Sequence, residues 1–300
     1  MFIVNQIFDY FFENVNETNG LELTPAQGPI EILPHVLILE IFSHLNIAAL
    51  GSSCCVSKAW KQLANDGVIH GSSLWKIAIY REIAFGNDKW VQCFGPDVVK
   101  DEDNKEELSS FPWKNFIEDC KIFNTIFPER TAKDSLMLVR LPKTLNGGLT
   151  LKSLGELAKK YFPDNDMGYR YIWDGIVQEL GDKSIDKSQW VLVTKDVLPG
   201  SRNKSYNDQQ KIVADLADLA EKSLTGYEVP ETLEFAVCIL SQYFALNERV
   251  FSDKPSTFTR CKEKTQGYQT IVGGFDPNGL YASSPRYNQN YIGIAALRKF

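Results

Sequence analysis

The first 57 residues contain no lysine or arginine. They carry six acidic residues, whereas the remaining 243 residues carry 32 acids and 32 bases and are neutral. The net charge of −6 therefore arises from the first fifth of the chain. A secretory signal peptide needs a positive N-terminal region and a mitochondrial presequence is rich in arginine, so the sequence predicts neither. Nucleic acid is not an expected partner, because the chain has no basic field to attract phosphates.

Long apolar runs, regular cysteine motifs and late histidines are also lacking. No run of 18 apolar residues occurs, so we expect no transmembrane helix and no membrane partner. The six cysteines form no CxxC motif, which predicts reduced thiols in a cytoplasmic protein. All three histidines precede residue 71, which excludes a His-dependent nucleophile or His-bearing zinc site within the C-terminal part. We expect no catalytic residue, no metal and no cofactor.

The composition is that of a globular chain, with 44% apolar and 23% charged residues. A length of 300 residues favours two domains. The predicted segments are an N-terminal lead-in, a helical unit, a helical connector with a charged loop, and a C-terminal domain, over 1–30, 31–81, 82–134 and 135–300. In the helical unit we predict helices over 34–45, 48–54, 57–65 and 74–81. In the connector, an apolar stripe predicts a helix over 112–127.

The C-terminal segment mixes helical and strand patterns. Its predicted helices cover 149–161, 169–180, 207–224 and 230–246. Its predicted strands cover 136–141, 189–197, 268–275, 280–282 and 291–297. The predicted fold class is therefore α+β overall, with an all-helical unit and connector followed by an α+β domain.

The helix predicted over 34–45 has more apolar surface than a small unit can bury. One stripe collects apolar side chains at i, i+3, i+4 and i+7, which are Ile38, Ile41, Phe42 and Leu45. A helix that is apolar on most sides must be buried on most sides. A unit of about 45 residues is near the lower limit for a core of its own. Exposing one Leu, Ile or Phe side chain forfeits roughly 1.5–3 kcal/mol, so the rest of the chain or a partner must cover this helix.

The segment from Ile32 to Trp75 resembles an F-box. Ordered apolar anchors carry the resemblance, namely Leu33, Pro34, Ile38, Ile41, Phe42, Leu45, Leu50, Val56, Trp60, Leu63 and Trp75. The departures are an uncharged Asn46 to Ala49, where the family usually has an acidic residue, and a Cys54-Cys55 pair. The resemblance implies that the anchors insert into a Skp-type adaptor of a cullin-RING ubiquitin ligase, the mode of a helix in a groove. For Val56, Trp60, Leu63 and Trp75, the unit's own core is an equal alternative.

The end of the chain carries a second resemblance. The phrases YQTIVGGFDPNGLYASS at 268–284 and IGIAALRKF at 292–300 resemble a domain that follows F-boxes in proteins of amoeba-associated chlamydiae. This resemblance implies a bacterial effector that uses the ubiquitin machinery of a host and acts in the host cytosol.

Candidate recognition residues in the C-terminal segment are few. The loop over 199–205 lies between a predicted strand and a predicted helix, but Asn203 stands where a P-loop requires its second glycine. An ordinary loop is therefore preferred over a phosphate site. Arg202 and Lys204 are alternative contacts for an acidic protein partner, and Tyr281 and Tyr287 are aromatic candidates for substrate recognition.

The sequence thus predicts a non-catalytic, cytoplasmic F-box adaptor that presents an unknown protein substrate. The alternative is an enzyme or ligand-binding protein whose C-terminal domain carries the activity, with the F-box as a tether. A phosphate group at 200–205, or a cleft with a strongly perturbed acid, would favour the enzyme. A shallow aromatic surface would favour recognition.

Overall fold

The architecture comes from a computed structural model, which describes residues 39, 41–45, 47–53, 60–62, 64, 68–69, 72–74, 77–78, 83–100, 113–219 and 226–300. Packing divides the chain into a smaller unit, residues 1–84 with 108–111, and a larger unit, residues 85–107 with 112–300. Helices and sheets both occur, so the α+β class is confirmed.

The described part of the smaller unit is mainly helical. Residues 39 and 41–43 are helical, and α1 (Ile47–Ser53) follows. Two short strands, β1 (Val68–Ile69) and β2 (Ser72–Ser73), pair antiparallel with Val68 opposite Ser73. The sequence did not predict this ladder, because strands of two residues have no periodicity to detect.

The remaining elements belong to the larger unit, except that Ala84, the first residue of the strand β3 (Ala84–Phe85), is assigned to the smaller unit. The strands are β3 (Ala84–Phe85), β4 (Leu136–Leu141), β5 (Tyr171–Ile172), β6 (Gln189–Thr194), β7 (Phe258–Thr265), β8 (Tyr268–Asp276), β9 (Gly279–Ser283), β10 (Ile292–Gly293) and β11 (Leu297–Lys299). The helices are α2 (Asn87–Phe94), α3 (Trp113–Ile126), α4 (Ala132–Ser135), α5 (Leu151–Ala158), α6 (Asp174–Leu180), α7 (Tyr206–Leu219) and α8 (Thr232–Leu246). Among the helices that the structure describes, none has both the length and the apolar character needed to cross a bilayer.

The strands of the larger unit form two sheets. The four-stranded sheet has the order β11-β6-β4-β3, with β6 antiparallel to both β4 and β11. The five-stranded sheet has the order β10-β7-β8-β9-β5. Its centre is an antiparallel meander, and the two short edge strands run parallel to their neighbours.

Helix α8 lies between the two sheets. It contacts β4 of one sheet and β7, β8 and β9 of the other. Because both flanks need apolar contacts, 11 of its 15 residues are buried. The helix begins with a capping box formed by Glu231 and Glu234, and it ends at Asn247, whose left-handed φ of 55° stops the helix.

The outer faces of both sheets are covered by helices. In the four-stranded sheet, Leu138, Leu192 and Arg298 lie opposite one another and point away from α8. The side chain of Asp119 on α3 bonds to this row. On the five-stranded sheet, Gln209 of α7 bonds to the Ile292 carbonyl. The larger unit is therefore layered as α3, sheet, α8, sheet and α7.

Most predicted elements are confirmed, several with tighter bounds. The strand predicted over 136–141 is β4, and the helices predicted over 112–127, 149–161 and 230–246 are α3, α5 and α8. The end of the helix predicted over 207–224 lies outside the described residues. The helix α2 was not predicted, although it buries Trp90 completely.

Three predictions for the C-terminal segment are corrected. The helix predicted over 169–180 starts only at Asp174, because Tyr171 and Ile172 pair with β9. The strand predicted over 291–297 divides into β10 and β11, which join different sheets. The strand β7 was missed because its buried face is polar, with Thr259 and Thr265 inaccessible to solvent.

Candidate functional site

The F-box-like helix ends in a tightened turn. The amide of His44 donates to the Ile41 carbonyl and the amide of Leu45 donates to the Phe42 carbonyl, both at 3.1 Å. These i to i+3 bonds satisfy two carbonyls that the α-helical pattern would leave open. The described helix therefore stops at Ser43, shortly before the predicted end.

Two neighbouring residues of this helix have opposite environments. Successive helix residues point about 100° apart. Ile41 is 45% exposed, whereas Phe42 is only 2% exposed. Phe42 packs edge to face on Trp60, with ring centroids 5.2 Å apart. The exposed side of the helix thus lies at Ile41, and Phe42 belongs to the packing of the smaller unit.

The other predicted adaptor contacts divide into described and undescribed residues. Leu50 is fully buried, and Leu45 and Trp60 are half-buried. The remaining predicted contacts lie outside the described residues; they are Leu33, Pro34, Ile38, Val56, Leu63 and Trp75.

The loop over 199–205 is closed by its own hydrogen bonds. Gly200 and Asn203 adopt left-handed φ values of 71° and 57°. The hydroxyl of Ser205 accepts from the Asp208 amide at 3.2 Å and donates to the Asp208 carboxylate at 2.6 Å. This bond to Ser205 lowers the pKa of Asp208. The N-terminus of α7 is thus capped from within the chain, which supports the ordinary-loop interpretation.

The two basic residues of this loop differ in their contacts. The Arg202 guanidinium donates to the Tyr291 carbonyl at 3.1 Å and to the Thr257 hydroxyl at 2.9 Å. It therefore ties the loop to the residues that directly precede β7 and β10. The side chain of Lys204 is exposed and forms no ion pair with any residue that the structure describes.

An aromatic row crosses the outer face of the five-stranded sheet. Tyr171, Tyr281, Gly273 and Phe258 lie directly opposite one another on four adjacent strands. The rings of Tyr171 and Tyr281 are 6.0 Å apart, and Tyr171 is 44% exposed. A Cβ on Gly273 would lie 2.3 Å from the Thr257 carbonyl oxygen, so only glycine fits there. Tyr171 was missed because its segment was predicted as helix.

Tyr287 does not belong to this row. It is 77% exposed and lies on the loop that follows β9. The structure therefore places the half-buried Tyr281 beside the exposed Tyr171 in a tilted ring pair, and Tyr287 on an open loop. The two predicted tyrosines are separate features of the surface.

Among the described acids, Asp119 is buried completely and has a raised pKa. Asp119 is fully buried, and its Oδ1 accepts from Arg298 Nη1 at 2.5 Å and from the Tyr227 hydroxyl. Burial raises the pKa of Asp119 to about 6, although Tyr227 and Arg298 act in the opposite direction. Because Asp119 lies on the buried face of α3, its role is structural: it bonds the helix to Tyr227 and Arg298.

In the part of the chain that is described, no three His, Cys, Asp or Glu side chains are grouped to hold a metal.

Comparison with known families gives one match. Residues 30–76 match the F-box-like family model, in agreement with the resemblance found in the sequence. An F-box-like domain is a non-catalytic module that indicates protein–protein interaction through a Skp-type adaptor in the ubiquitin-ligase pathway. No curated protein and no solved structure matches the chain.

Proposed function

We propose that the protein is a substrate-recognition adaptor of a cullin-RING ubiquitin ligase. In this proposal the F-box-like segment docks on a Skp-type adaptor, and the larger unit presents a protein substrate. The match of residues 30–76 to the F-box-like model carries the proposal. The exposure of Ile41 beside the buried Phe42 supports it, because a free F-box needs an uncovered apolar anchor.

The predicted contacts have two different roles in this proposal. Ile41 and Leu45 contact the adaptor directly, together with Leu33, Pro34 and Ile38. Phe42 and Leu50 hold the unit together, since both are buried already in the free chain. For Val56, Trp60, Leu63 and Trp75 we favour the same supporting role, because Trp60 packs on Phe42.

The charge distribution supports binding that depends on apolar burial. Residues 1–57 contain no lysine or arginine, so this segment has no cation to attract an acidic adaptor surface. Salt screens attraction between exposed charges but affects buried apolar contacts little. Adaptor affinity is therefore expected to change little as the salt concentration rises.

Substrate recognition is proposed for the surface of the larger unit. The aromatic row at Tyr171 and Tyr281 is a shallow surface with the residue type that often dominates interfaces. Tyr287 and Lys204 offer an exposed ring and an exposed cation on two loops outside this row. The resemblance of 268–284 and 292–300 to chlamydial proteins supports a further proposal, that the protein is an effector in host cytosol.

A pull-down with a purified Skp-type adaptor tests the docking proposal. Ile41→Asp introduces a charge at the exposed anchor and is expected to abolish capture. Leu246→Asp is the matched control, because Leu246 is a 56% exposed aliphatic residue of the larger unit. It should bind as the wild type does. A folded wild-type protein that captures no adaptor, or equal capture by Ile41→Asp, would overturn the proposal.

A further inference from the structure

The larger unit buries two arginine side chains with different partners. Arg298 is 1% exposed and forms an ion pair with the buried Asp119. Arg260 on β7 is 5% exposed, yet no carboxylate among the described residues lies within ion-pair distance of it. Buried arginine is rare without a charged partner. The missing counter-charge at Arg260 therefore needs an explanation.

The contacts of Arg260 engage its two terminal nitrogens but supply no counter-charge. Nη1 donates to the Lys204 carbonyl at 2.9 Å and to Gln209 Oε1 at 2.6 Å, and Nη2 donates to Asn288 Oδ1 at 2.5 Å. All three acceptors are neutral. Burial consequently lowers the pKa of the Arg260 guanidinium, with the nearby Tyr206 acting in the opposite direction. A buried charge without a counter-charge destabilises the fold.

These bonds bring two loops together around one guanidinium. The first is the loop over 199–205, which carries the exposed Lys204. The second is the loop after β9, where Asn288 adjoins the 77% exposed Tyr287. The Nε–H of Arg260 donates to no acceptor in the described ranges, so a donor remains for an incoming group.

The acids near this cluster are already engaged. Asp208 is bonded to the hydroxyl of Ser205 at 2.6 Å. Glu263, farther along β7, accepts from the Thr232 amide at 2.9 Å and from its hydroxyl at 3.0 Å. Neither acid forms an ion pair with Arg260 or Lys204. Besides the bond from Ser205, the charges of Lys211 and Lys204 help to lower the pKa of Asp208. Arg260, in contrast, has no carboxylate within ion-pair distance among the described residues.

We propose that Arg260, Lys204 and Tyr287 form a binding site for an anionic group, a carboxylate or a phosphate. Guanidinium and ammonium groups both bind such oxygens through charge-assisted hydrogen bonds. The anion supplies the counter-charge that Arg260 lacks. It comes either from a free phosphate or from an acidic or phosphorylated side chain of another protein. This proposal is independent of whether the F-box-like segment docks on an adaptor.

The test uses inorganic phosphate and the full-length protein. The melting temperature is followed as phosphate is added against chloride at equal ionic strength, and a saturable rise is expected. Lys204→Gln should weaken the apparent phosphate affinity about tenfold, because one charge-assisted contact is lost. The control Lys211→Gln removes the same charge from an exposed position of α7 and should behave as the wild type.

The two variants also separate specific binding from general stabilisation. Phosphate stabilises folded proteins by exclusion from their surface, and this effect acts equally on both variants. Arg260→Lys keeps the charge but loses the planar fork, and it should reduce binding further. If Arg260→Lys does not fold, the comparison of Lys204→Gln with Lys211→Gln still tests whether phosphate binds at this site. No saturable rise in the wild type, or equal affinity of Lys204→Gln and Lys211→Gln, would overturn the proposal.

Peptides then identify the source of the anion. A labelled phosphoserine peptide, its unphosphorylated form and a glutamate-rich peptide are titrated by fluorescence anisotropy. Binding of a phosphorylated or acidic peptide that Lys204→Gln weakens supports an anion carried by a protein. Binding of inorganic phosphate alone supports a free anion.

Discussion

Asp119 and Arg298 form a buried ion pair that joins helix α3 to the last strand of the four-stranded sheet. Their side chains are 0% and 1% exposed, and Oδ1 and Nη1 are 2.5 Å apart. The Tyr227 hydroxyl donates to the same carboxylate oxygen. Three segments that are distant in sequence thus meet at one carboxylate.

Removing the carboxylate should strongly destabilise the larger unit. Asp119→Ala removes the acceptor that Arg298 and the Tyr227 hydroxyl share, which typically costs about 1–3 kcal/mol for each buried donor that loses its acceptor. Urea unfolding of the variant and the wild type measures this difference in free energy. Asp186→Asn, at an exposed position, should change the stability by less than about 0.5 kcal/mol. Equal stability of both variants would contradict the role assigned to the pair.

The same carboxyl group should make stability depend on pH with a definite sign. Its pKa of about 6 in the folded protein lies above the ordinary value of 3.8, so the folded state binds more protons between these values. The stability linked to Asp119 is therefore full below pH 3.8 and is lost as the pH rises through about 6. Carboxyl-carbon NMR should place the Asp119 titration near pH 6. A titration at or below the ordinary value would show that Arg298 outweighs burial.

Phe42 and Ile41 should respond oppositely to truncation. Phe42→Ala removes a buried ring that packs on Trp60, and such changes cost about 3–5 kcal/mol. Hydrogen exchange of α1 should accelerate in this variant. Ile41→Ala should leave that exchange nearly unchanged while it weakens adaptor binding, because Ile41 is exposed. Unchanged exchange in Phe42→Ala would place its ring on the surface.

Gly155 should resist replacement by a better helix former. Alanine normally stabilises a helix interior by about 1 kcal/mol relative to glycine. In α5, however, a Cβ at Gly155 would lie 2.2 Å from the Met167 carbonyl oxygen. We expect Gly155→Ala to destabilise the protein by about 1–3 kcal/mol in urea unfolding. Gly226→Ala is the control, since its nearest contact would be Ala217 Cβ at 3.4 Å. A stabilised Gly155→Ala would contradict the close packing.

The elements that sequence predicted well have strong local patterns. The strand over 136–141 is apolar at every position except Arg140, and it has the predicted bounds. The strands β5 and β7 were missed for different physical reasons. The strand β5 pairs with β9, which is distant in sequence. The strand β7 pairs with the adjacent β8, but it buries threonine and arginine where the usual pattern requires apolar residues.

In the candidate sites too, the sequence identifies residues of the right type, and only packing shows which of them are exposed. Ile41 and Phe42 are equivalent anchors in the F-box pattern, and only packing on Trp60 separates a buried residue from an exposed one. Arg202 and Lys204 are equivalent cations in the loop sequence. The structure bonds Arg202 to the Tyr291 carbonyl and leaves Lys204 exposed.

The sequence by itself determined the uneven charge, the α+β class and the F-box-like segment, because composition and ordered apolar anchors are local properties of the chain. Only the tertiary structure decided that α8 lies between two sheets, that Arg298 has a carboxylate partner and that Arg260 has none among the described residues. Those facts depend on contacts between residues far apart in the sequence, and no local pattern specifies which distant groups will meet.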